Sequence, residues 1–226
     1  MMMTEPVING NRLKDLNAEM VKYEVGPAET DETYMLPAAR VIPMALSARV
    51  RLRPVSITLD FLGKPKYTAL AISELTASLM KEVHLELPDG FLYWGGLTKV
   101  STPKEKAPWI QQVQFTFACF RHLDMETFPV FSSGTVYING NVATPIIVEL
   151  TPAEGETEAT INGVTIKEMS GAVTINGVDT TVLDASGTNW FRHTNLTKWI
   201  ELEPGHVPIE LSEGATAKIS YYPIFL

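Results

Sequence analysis

The sequence has little of three things: cysteine, long apolar runs and a leader-like start. Cys119 is its one cysteine, which excludes internal disulfides and any cysteine-rich metal site. No run of about 18 apolar residues occurs, so no membrane-spanning helix is predicted. The start at 1–6 has no basic segment followed by an apolar one, so no secretory signal is expected.

Basic residues are scarce in one half of the chain. The net charge is −8, and residues 1–125 hold 14 Lys/Arg against 14 Asp/Glu, whereas residues 126–226 hold 4 against 12. The whole acidic excess therefore lies in the second half. Phosphate contacts need clustered cations, so this distribution argues against nucleic-acid recognition.

What is present indicates a folded protein. The 226 residues are 45% hydrophobic and 19% charged, which is enough apolar surface to offset chain entropy and exclude wholesale disorder. The length suits two modest domains or one large one.

The first half mixes strand and helix patterns. A proline-rich stretch at 26–46 predicts a long extended loop or arm. Residues 65–82 predict one helix with an apolar stripe at Tyr67, Ala71, Leu75 and Leu79. A strand at 83–87 turns through 88–90 into the next. Apolar and polar residues alternate along the predicted strand 113–119, and the side chains predicted to face inward are those of Val113, Phe115, Phe117 and Cys119.

The second half predicts short strands without a helix. Ile-Asn-Gly recurs at 138–140, 161–163 and 175–177 after a first copy at 8–10, and each copy predicts a hairpin because Asn-Gly tolerates positive φ. Such spacing is typical of a β-sandwich or jelly roll. We expect a mainly β chain with an α+β N-terminal part, divided into domains at 1–126 and 127–226.

Catalytic and metal-binding patterns are weak. The four histidines are scattered, and no phosphate-cradling glycine motif or nucleophile elbow is present. We therefore predict no enzyme activity, no cofactor, no metal and no catalytic residue. Cys119 is interpreted as a buried structural thiol, and the exposed acids Glu154, Glu156 and Glu158 as a solvated hairpin tip.

Three arginines form the candidate site. Arg49, Arg51 and Arg53 alternate along a predicted strand, and the apolar face changes phase after Pro54, where we expect a bulge or break. Their guanidinium groups either line a surface that phosphate passes, pair with a neighbouring subunit's acids, or form a solvated outer face.

The end of the chain carries the most specific pattern. The segment Leu202-Glu203-Pro204-Gly205 leads into alternating strands and then an ending at 221–226 that contains Tyr221-Tyr222-Pro223. This arrangement resembles the C-terminus of the distal tail proteins of long-tailed (siphovirus-type) bacteriophages or prophages. The hairpin at 175–184, the arm, the helix, the segment 91–97 and the strand 113–120 follow the same family plan in order. The Asp-Pro that often follows that strand in the family is missing.

The resemblance implies a virion structural protein at the tail tip or baseplate, assembled in the bacterial cytoplasm. It implies a split-barrel-like N-terminal domain forming a hexameric ring, with a galectin-like β-sandwich outside. Its expected partners are the tail tube protein, the tail-tip or tail-associated protein and receptor-binding proteins. DNA is expected to cross the lumen without specific binding, and no membrane is involved.

Two alternatives remain open. The second half is a candidate carbohydrate-binding domain for cell-surface recognition, through Trp190, Phe191 or Trp199. A glycan hydrolase using Asp179 and Asp184 is a further possibility, although both acids fit turn positions.

Overall fold

Two compact units make up the chain. The computed structural model describes residues 6–28, 30–35, 44–50 and 52–226, with the backbone alone for 30–35 and 44–50. The first unit ends at His122 and includes Leu226, and the second covers Leu123–Phe225. The fold is mainly β with one α-helix among the described residues, which confirms the predicted class. No helix in these residues is long and apolar enough to span a membrane.

An antiparallel sheet forms most of the first unit. The elements of this unit are β1 (Val7–Ile8), β2 (Asn11–Arg12), β3 (Ala18–Val25), β4 (Thr30–Met35), β5 (Met44–Val50), β6 (Arg53–Leu62), α1 (Pro65–Ser78), β7 (Val83–Glu86), β8 (Leu92–Val100), β9 (Lys104–Ala107) and β10 (Ile110–His122). The strands of the sheet follow the order β2-β1-β7-β8-β10-β6-β3, with β9 paired to one end of β10. A short 3-10 helix, Leu13–Leu16, precedes β3.

Strand β10 supplies the centre of this unit's core. The predicted inward set of β10 is confirmed, because all four side chains are buried. Phe115 and Phe117 lie opposite Ile57 and Val55 of β6, which are also buried. Burying each such side chain contributes about 1.5–3 kcal/mol, so the pairing of β10 with β6 carries much of the unit's stability.

The helix lies where it was predicted, but it is shorter and rotated. It ends at Ser78 rather than at residue 82, and its buried side chains are Thr68, Ile72 and Leu75. Tyr67, which the periodicity placed in the apolar stripe, is 65% exposed. Thr68 is buried because its hydroxyl bonds the carbonyl of Pro65 at 3.0 Å, so a residue of the predicted polar side faces inward.

The predicted extended arm contains a hairpin. Strands β4 and β5 pair antiparallel, and among the described residues they form a two-stranded sheet of their own. Residues 29 and 36–43 of the predicted arm lie outside the described residues. Neither strand contains a proline, so each of their residues keeps the backbone N–H that a ladder needs.

The break in the arginine segment comes earlier than predicted. Strand β5 ends at Val50 and β6 begins at Arg53, so Pro54 lies within β6. Arg53 shares its face with Val55 and is buried with it. Arg49 and Arg53 therefore belong to different strands, and the single strand face predicted for the three arginines is not present.

Glycine allows two strands to approach closely in the first unit. A Cβ added at Gly95 of β8 would lie 1.9 Å from the carbonyl oxygen of Ala118 and 2.7 Å from Cα of Cys119. Both are backbone atoms of β10, so no side-chain rotation relieves the overlap. A Cβ added at Gly96 would have no atom within 4 Å.

The second unit is all β apart from one 3-10 turn at Phe191–His193. Its strands are β11 (Glu126–Val130), β12 (Gly134–Ile138), β13 (Thr144–Thr151), β14 (Ala159–Ile161), β15 (Val164–Ile166), β16 (Val173–Asn176), β17 (Thr181–Asp184), β18 (Glu201–Leu202), β19 (Gly205–Ile209), β20 (Thr216–Tyr221) and β21 (Ile224–Phe225). The main sheet has the strand order β11-β20-β13-β16-β17, with β18 paired to β13. The pairs β12–β19 and β14–β15 form separate ladders.

One hydrophobic core joins these sheets. Val148 and Ile219 of the main sheet belong to the same buried cluster as Ile138, Ile161 and Ile166 of the two small ladders. The inward residues alternate with outward ones along β13 and β20, as expected where one face of an antiparallel sheet is covered.

Three of the four Ile-Asn-Gly copies form the predicted hairpins. Those at 8–10, 161–163 and 175–177 join β1–β2, β14–β15 and β16–β17. The copy at 138–140 does not, because β12 pairs with β19 rather than with β13. The prediction failed there because Asn139 is held by a different interaction.

That interaction is a partly buried polar cluster around the buried side chain of Tyr221. The Tyr221 hydroxyl donates to Glu126 Oε2 at 2.5 Å and accepts from the Asn139 backbone N–H at 3.0 Å. The Asn139 amide donates to Glu126 Oε1 at 2.7 Å. Burial and the bond to Glu126 raise the pKa of Tyr221 from 10.0 to about 12. The cluster ties the first strand of this unit to β20.

Adding one methyl group at Gly95 should disrupt the first unit. Gly95→Ala forces β8 away from β10, and we expect a loss of about 3 kcal/mol or more in unfolding free energy, measured by urea titration. Gly96→Ala is the matched control and should stay within about 1 kcal/mol. Equal losses in the two variants would contradict the close approach.

Removing the Tyr221 hydroxyl should destabilise the second unit. Tyr221→Phe leaves Glu126 and the Asn139 N–H without this partner, at a cost of about 1–3 kcal/mol. Because the folded pKa lies above the unfolded value, the wild-type stabilisation is complete below pH 10 and is lost as the pH rises towards about 12. The urea midpoints of wild type and Tyr221→Phe should therefore differ at neutral pH and converge at alkaline pH. Tyr137→Phe, at an exposed position, is the control, and a constant gap between wild type and Tyr221→Phe would refute the linkage.

Candidate functional site

Arg53 is the candidate residue that the structure describes most fully. Its side chain is 6% exposed, and Nη1 donates to the carbonyl of Gly26 at 3.4 Å. Burial lowers the pKa of Arg53, and the positive charge of Arg121 lowers it further. The guanidinium therefore points into the first unit, in a place where a charged group needs partners.

The groups that act electrostatically on Arg53 are Asp89, Tyr93 and Arg121, of which Tyr93 is buried, Arg121 is partly buried and Asp89 is exposed. The Tyr93 hydroxyl donates to Asp89 Oδ2 at 2.5 Å, and burial followed by this bond raises the pKa of Tyr93. Arg121 lies 4.4 Å above the Phe91 ring, and its Nη2 donates to the Leu226 carbonyl at 2.6 Å. Its Nε has no hydrogen-bond partner in the described part of the chain.

The group lies at the base of the arm. The Gly26 N–H donates to the Pro54 carbonyl at 2.8 Å, and a Cβ at Gly26 would come within 2.6 Å of the Pro54 ring. Gly26 therefore touches both Arg53 and Pro54, so the chain entering the arm is held against the chain leaving it. The arrangement fixes where the hairpin starts, which suits an element that must point in a defined direction.

The other two arginines are only partly described. Arg49 is a backbone partner of Asp31 in the β4–β5 hairpin, and Arg51 lies outside the described residues. Their assignment to a lumen or an intersubunit face stays a prediction. The grouping of Arg53 with Asp89, Tyr93 and Arg121 was missed, although Arg53 has the same strand parity as Val55 and Ile57.

Cys119, considered as a nucleophile, and the histidines at 84 and 122, considered as metal ligands, have packing roles in the structure. Cys119 is buried, as predicted, and burial raises its pKa to about 12, which keeps the thiol protonated. His122 is also buried, whereas His84 stacks on Trp94 with ring centroids 5.6 Å apart. No group of three or more His, Cys, Asp or Glu in the described residues is placed to hold a metal ion.

The acidic residues of the second unit occupy turns or solvent. The three glutamates at 154, 156 and 158 are exposed, as predicted for a hairpin tip. Asp179 accepts from the Asn176 side chain at 2.8 Å. Asp184 accepts from the Ser186 hydroxyl and the Thr188 N–H, and these bonds lower its pKa. Both aspartates therefore perform the turn chemistry that their positions predicted.

The three large aromatics of the carbohydrate-binding alternative differ in exposure. Trp190 and Trp199 are partly buried against the core, and Trp190 Nε1 donates to the Lys167 carbonyl at 3.1 Å. Phe191 is 44% exposed, with its ring 6.2 Å from that of Trp199. Phe191 alone of the three is open to a ligand over much of its surface.

Comparison with solved structures finds a match over almost the whole chain. The crystal structure of the Dit protein of phage SPP1, described as a paradigm of the hub adsorption apparatus in phages that infect Gram-positive bacteria, gives a TM-score of 0.74 at 14% identity. The match covers 98% of this chain and 99% of that one. No protein-family profile and no curated protein matches the sequence.

Two structures of the phage P2 baseplate in its activated conformation are also similar. The calcium form has a TM-score of 0.58 at 11% identity, with 94% of this chain and 92% of that chain covered. The strontium form has a TM-score of 0.52 at 12% identity, with 92% of each chain covered. At these identities the likeness is one of fold, and in its fold this chain is a Dit-like protein.

Proposed function

We propose that this chain is a structural hub protein at the tail tip of a long-tailed bacteriophage. Six copies form a ring that joins the tail tube to the tip and carries receptor-binding or other baseplate proteins. The observation that carries the proposal is the fold match to SPP1 Dit over 98% of this chain and 99% of the other. The match includes both units, so the proposal accounts for the fold of almost the whole chain.

The two units take different roles in this proposal. We assign the ring to the predicted domain 1–126 and a galectin-like sandwich on its periphery to the predicted domain 127–226, although the compact units meet slightly earlier, between His122 and Leu123. The charge distribution supports this division, because the neutral half suits close packing between copies and the acidic half suits a solvated exterior. The single core shared by the sheets of the second unit suits a domain that folds around its own interior.

The arm is the proposed contact between neighbouring copies. Its strands β4 and β5 pair only with each other among the described strands, so both outer edges carry backbone groups available to another chain. The contacts of Gly26 with Arg53 and Pro54 hold its base. A hairpin fixed at its base and open along its edges is suited to reaching a second copy.

DNA crosses the proposed lumen without being bound. Residues 1–125 carry no net charge, so the ring offers little of the cation clustering that phosphate binding needs. We assign Arg49 and Arg51 to the lumen or to an intersubunit contact, whereas Arg53 is occupied inside its own unit. The proposal includes no catalytic step and no cofactor.

The mass of the purified protein tests the ring. Six copies of the 25.0 kDa chain give about 150 kDa by light scattering, and negative-stain images should show a ring with a central hole. A mass of one chain, both alone and with tail tube protein added, contradicts the ring. A monomer that binds neutral glycans supports the alternative of carbohydrate recognition instead.

Replacing the arm should abolish assembly without unfolding the chain. Since Gly26 N and Pro54 O are 2.8 Å apart, a short glycine-serine linker can replace residues 28–51. We expect a monomer with unchanged circular dichroism apart from the lost hairpin. Shortening the exposed tip at 154–158 is the control and should leave the number of copies in the ring unchanged. A hexamer formed by the armless variant would show that the contact lies elsewhere.

A further inference from the structure

A shallow pocket in the second unit is lined by two of the few basic residues of that region. Residues 126–226 contain four Lys/Arg, and two of them, Lys167 and Arg192, line this pocket together with His193. The cavity is about 210 Å³, enough for one small polar group and its hydration. Two of the four basic residues of this half therefore lie in one pocket, with Glu168 as its one acidic lining residue.

Backbone hydrogen bonds hold the pocket walls together. The Lys167 N–H donates to the His193 carbonyl at 2.9 Å, and the Asn195 N–H donates to the Thr165 carbonyl at 3.2 Å. The Asn195 side chain adds a bond from the Thr165 N–H at 2.7 Å. The two segments that carry the cations are therefore fixed relative to each other before any ligand arrives, which lowers the entropic cost of binding.

His193 is held in position from two sides. Its ring stacks on Trp190 with centroids 4.3 Å apart, and its Nδ1 lies 3.1 Å from Glu168 Oε2. Glu168 has a φ of 57°, in the left-handed region that non-glycine residues rarely adopt. The next residue, Met169, is buried and donates to the Thr157 carbonyl, which fixes this turn. The one carboxylate lining the pocket is thus drawn to the imidazole.

The two longer cations remain available. Arg192 is exposed and forms no ion pair with another described residue. Lys167 has Glu158 Oε2 at 3.9 Å, and both side chains are more than half exposed, so solvent weakens that pair. A guanidinium offers five donors in a planar fork that matches phosphate and carboxylate oxygens.

We propose that this pocket binds the phosphate or carboxylate group of an anionic ligand. Arg192 and Lys167 supply charge-assisted hydrogen bonds, and His193 forms part of the wall against which the group rests. This inference does not depend on the ring, because all of its residues belong to one unit of one chain. Failure of the assembly test leaves it standing, and its own failure leaves the hub proposal standing.

Saturation-transfer difference NMR on the full-length protein tests the site. The probes are glycerol 3-phosphate and glucuronate, with uncharged glycerol and glucose as matched controls. We expect saturable binding of at least one anion, with a Kd of about 1 mM. The tighter of the two anions identifies phosphate or carboxylate as the recognised group.

Variants link the binding to these residues. Arg192→Gln and Lys167→Gln should each raise Kd by about five-fold or more. Lys218→Gln removes the same charge from β20, outside the pocket, and should change Kd by less than about two-fold. The proposal is overturned if neither anion binds, if glycerol and glucose bind as well as the anions, or if Lys218→Gln weakens binding as much as Arg192→Gln.

Discussion

The close approach of β8 to β10 at Gly95 is the constraint on which the first unit depends. Strand β10 lies between β8 and β6, and its inward side chains fill the core only when both neighbours sit at pairing distance. A side chain at position 95 would meet backbone rather than another side chain, so the space cannot be regained by repacking. The buried aromatic pair Phe115 and Phe117 is therefore positioned by a residue that has no side chain.

Polar clusters have a comparable role where strands begin and end. In the first unit, Arg53 holds the point where the arm leaves the sheet, and in the second, Tyr221 joins Glu126 to Asn139. Each cluster has one buried member, Arg53 or Tyr221, that bonds residues far apart in sequence, so each favours one arrangement of the segments it joins. Such groups contribute specificity more than net stability, because their desolvation offsets much of what their bonds supply.

Much of the fold could be predicted because local patterns determined it. Alternation identified β10 and its inward face, and Asn-Gly identified three hairpins. The rotation of α1, the pairing of β12 with β19 and the burial of Arg53 could not be obtained this way. The rotation of α1 accompanies a local bond from the Thr68 hydroxyl to the Pro65 carbonyl, whereas for β12 and Arg53 a contact with a distant residue outweighed the local preference. The cation pocket was missed for the same reason, because Lys167 and Arg192 are 25 positions apart in sequence and meet only through the pairing of their backbones.

The strand order of the first unit has a consequence for how the chain folds as it is synthesised. Before β10 is available, β3 and β6 form one piece of sheet, while β1, β2, β7 and β8 form another. Nothing in the strand order joins these pieces except β10, which pairs with both. The nascent chain therefore carries two open strand edges until residue 122 has left the ribosome, and aggregation competes with folding throughout that interval.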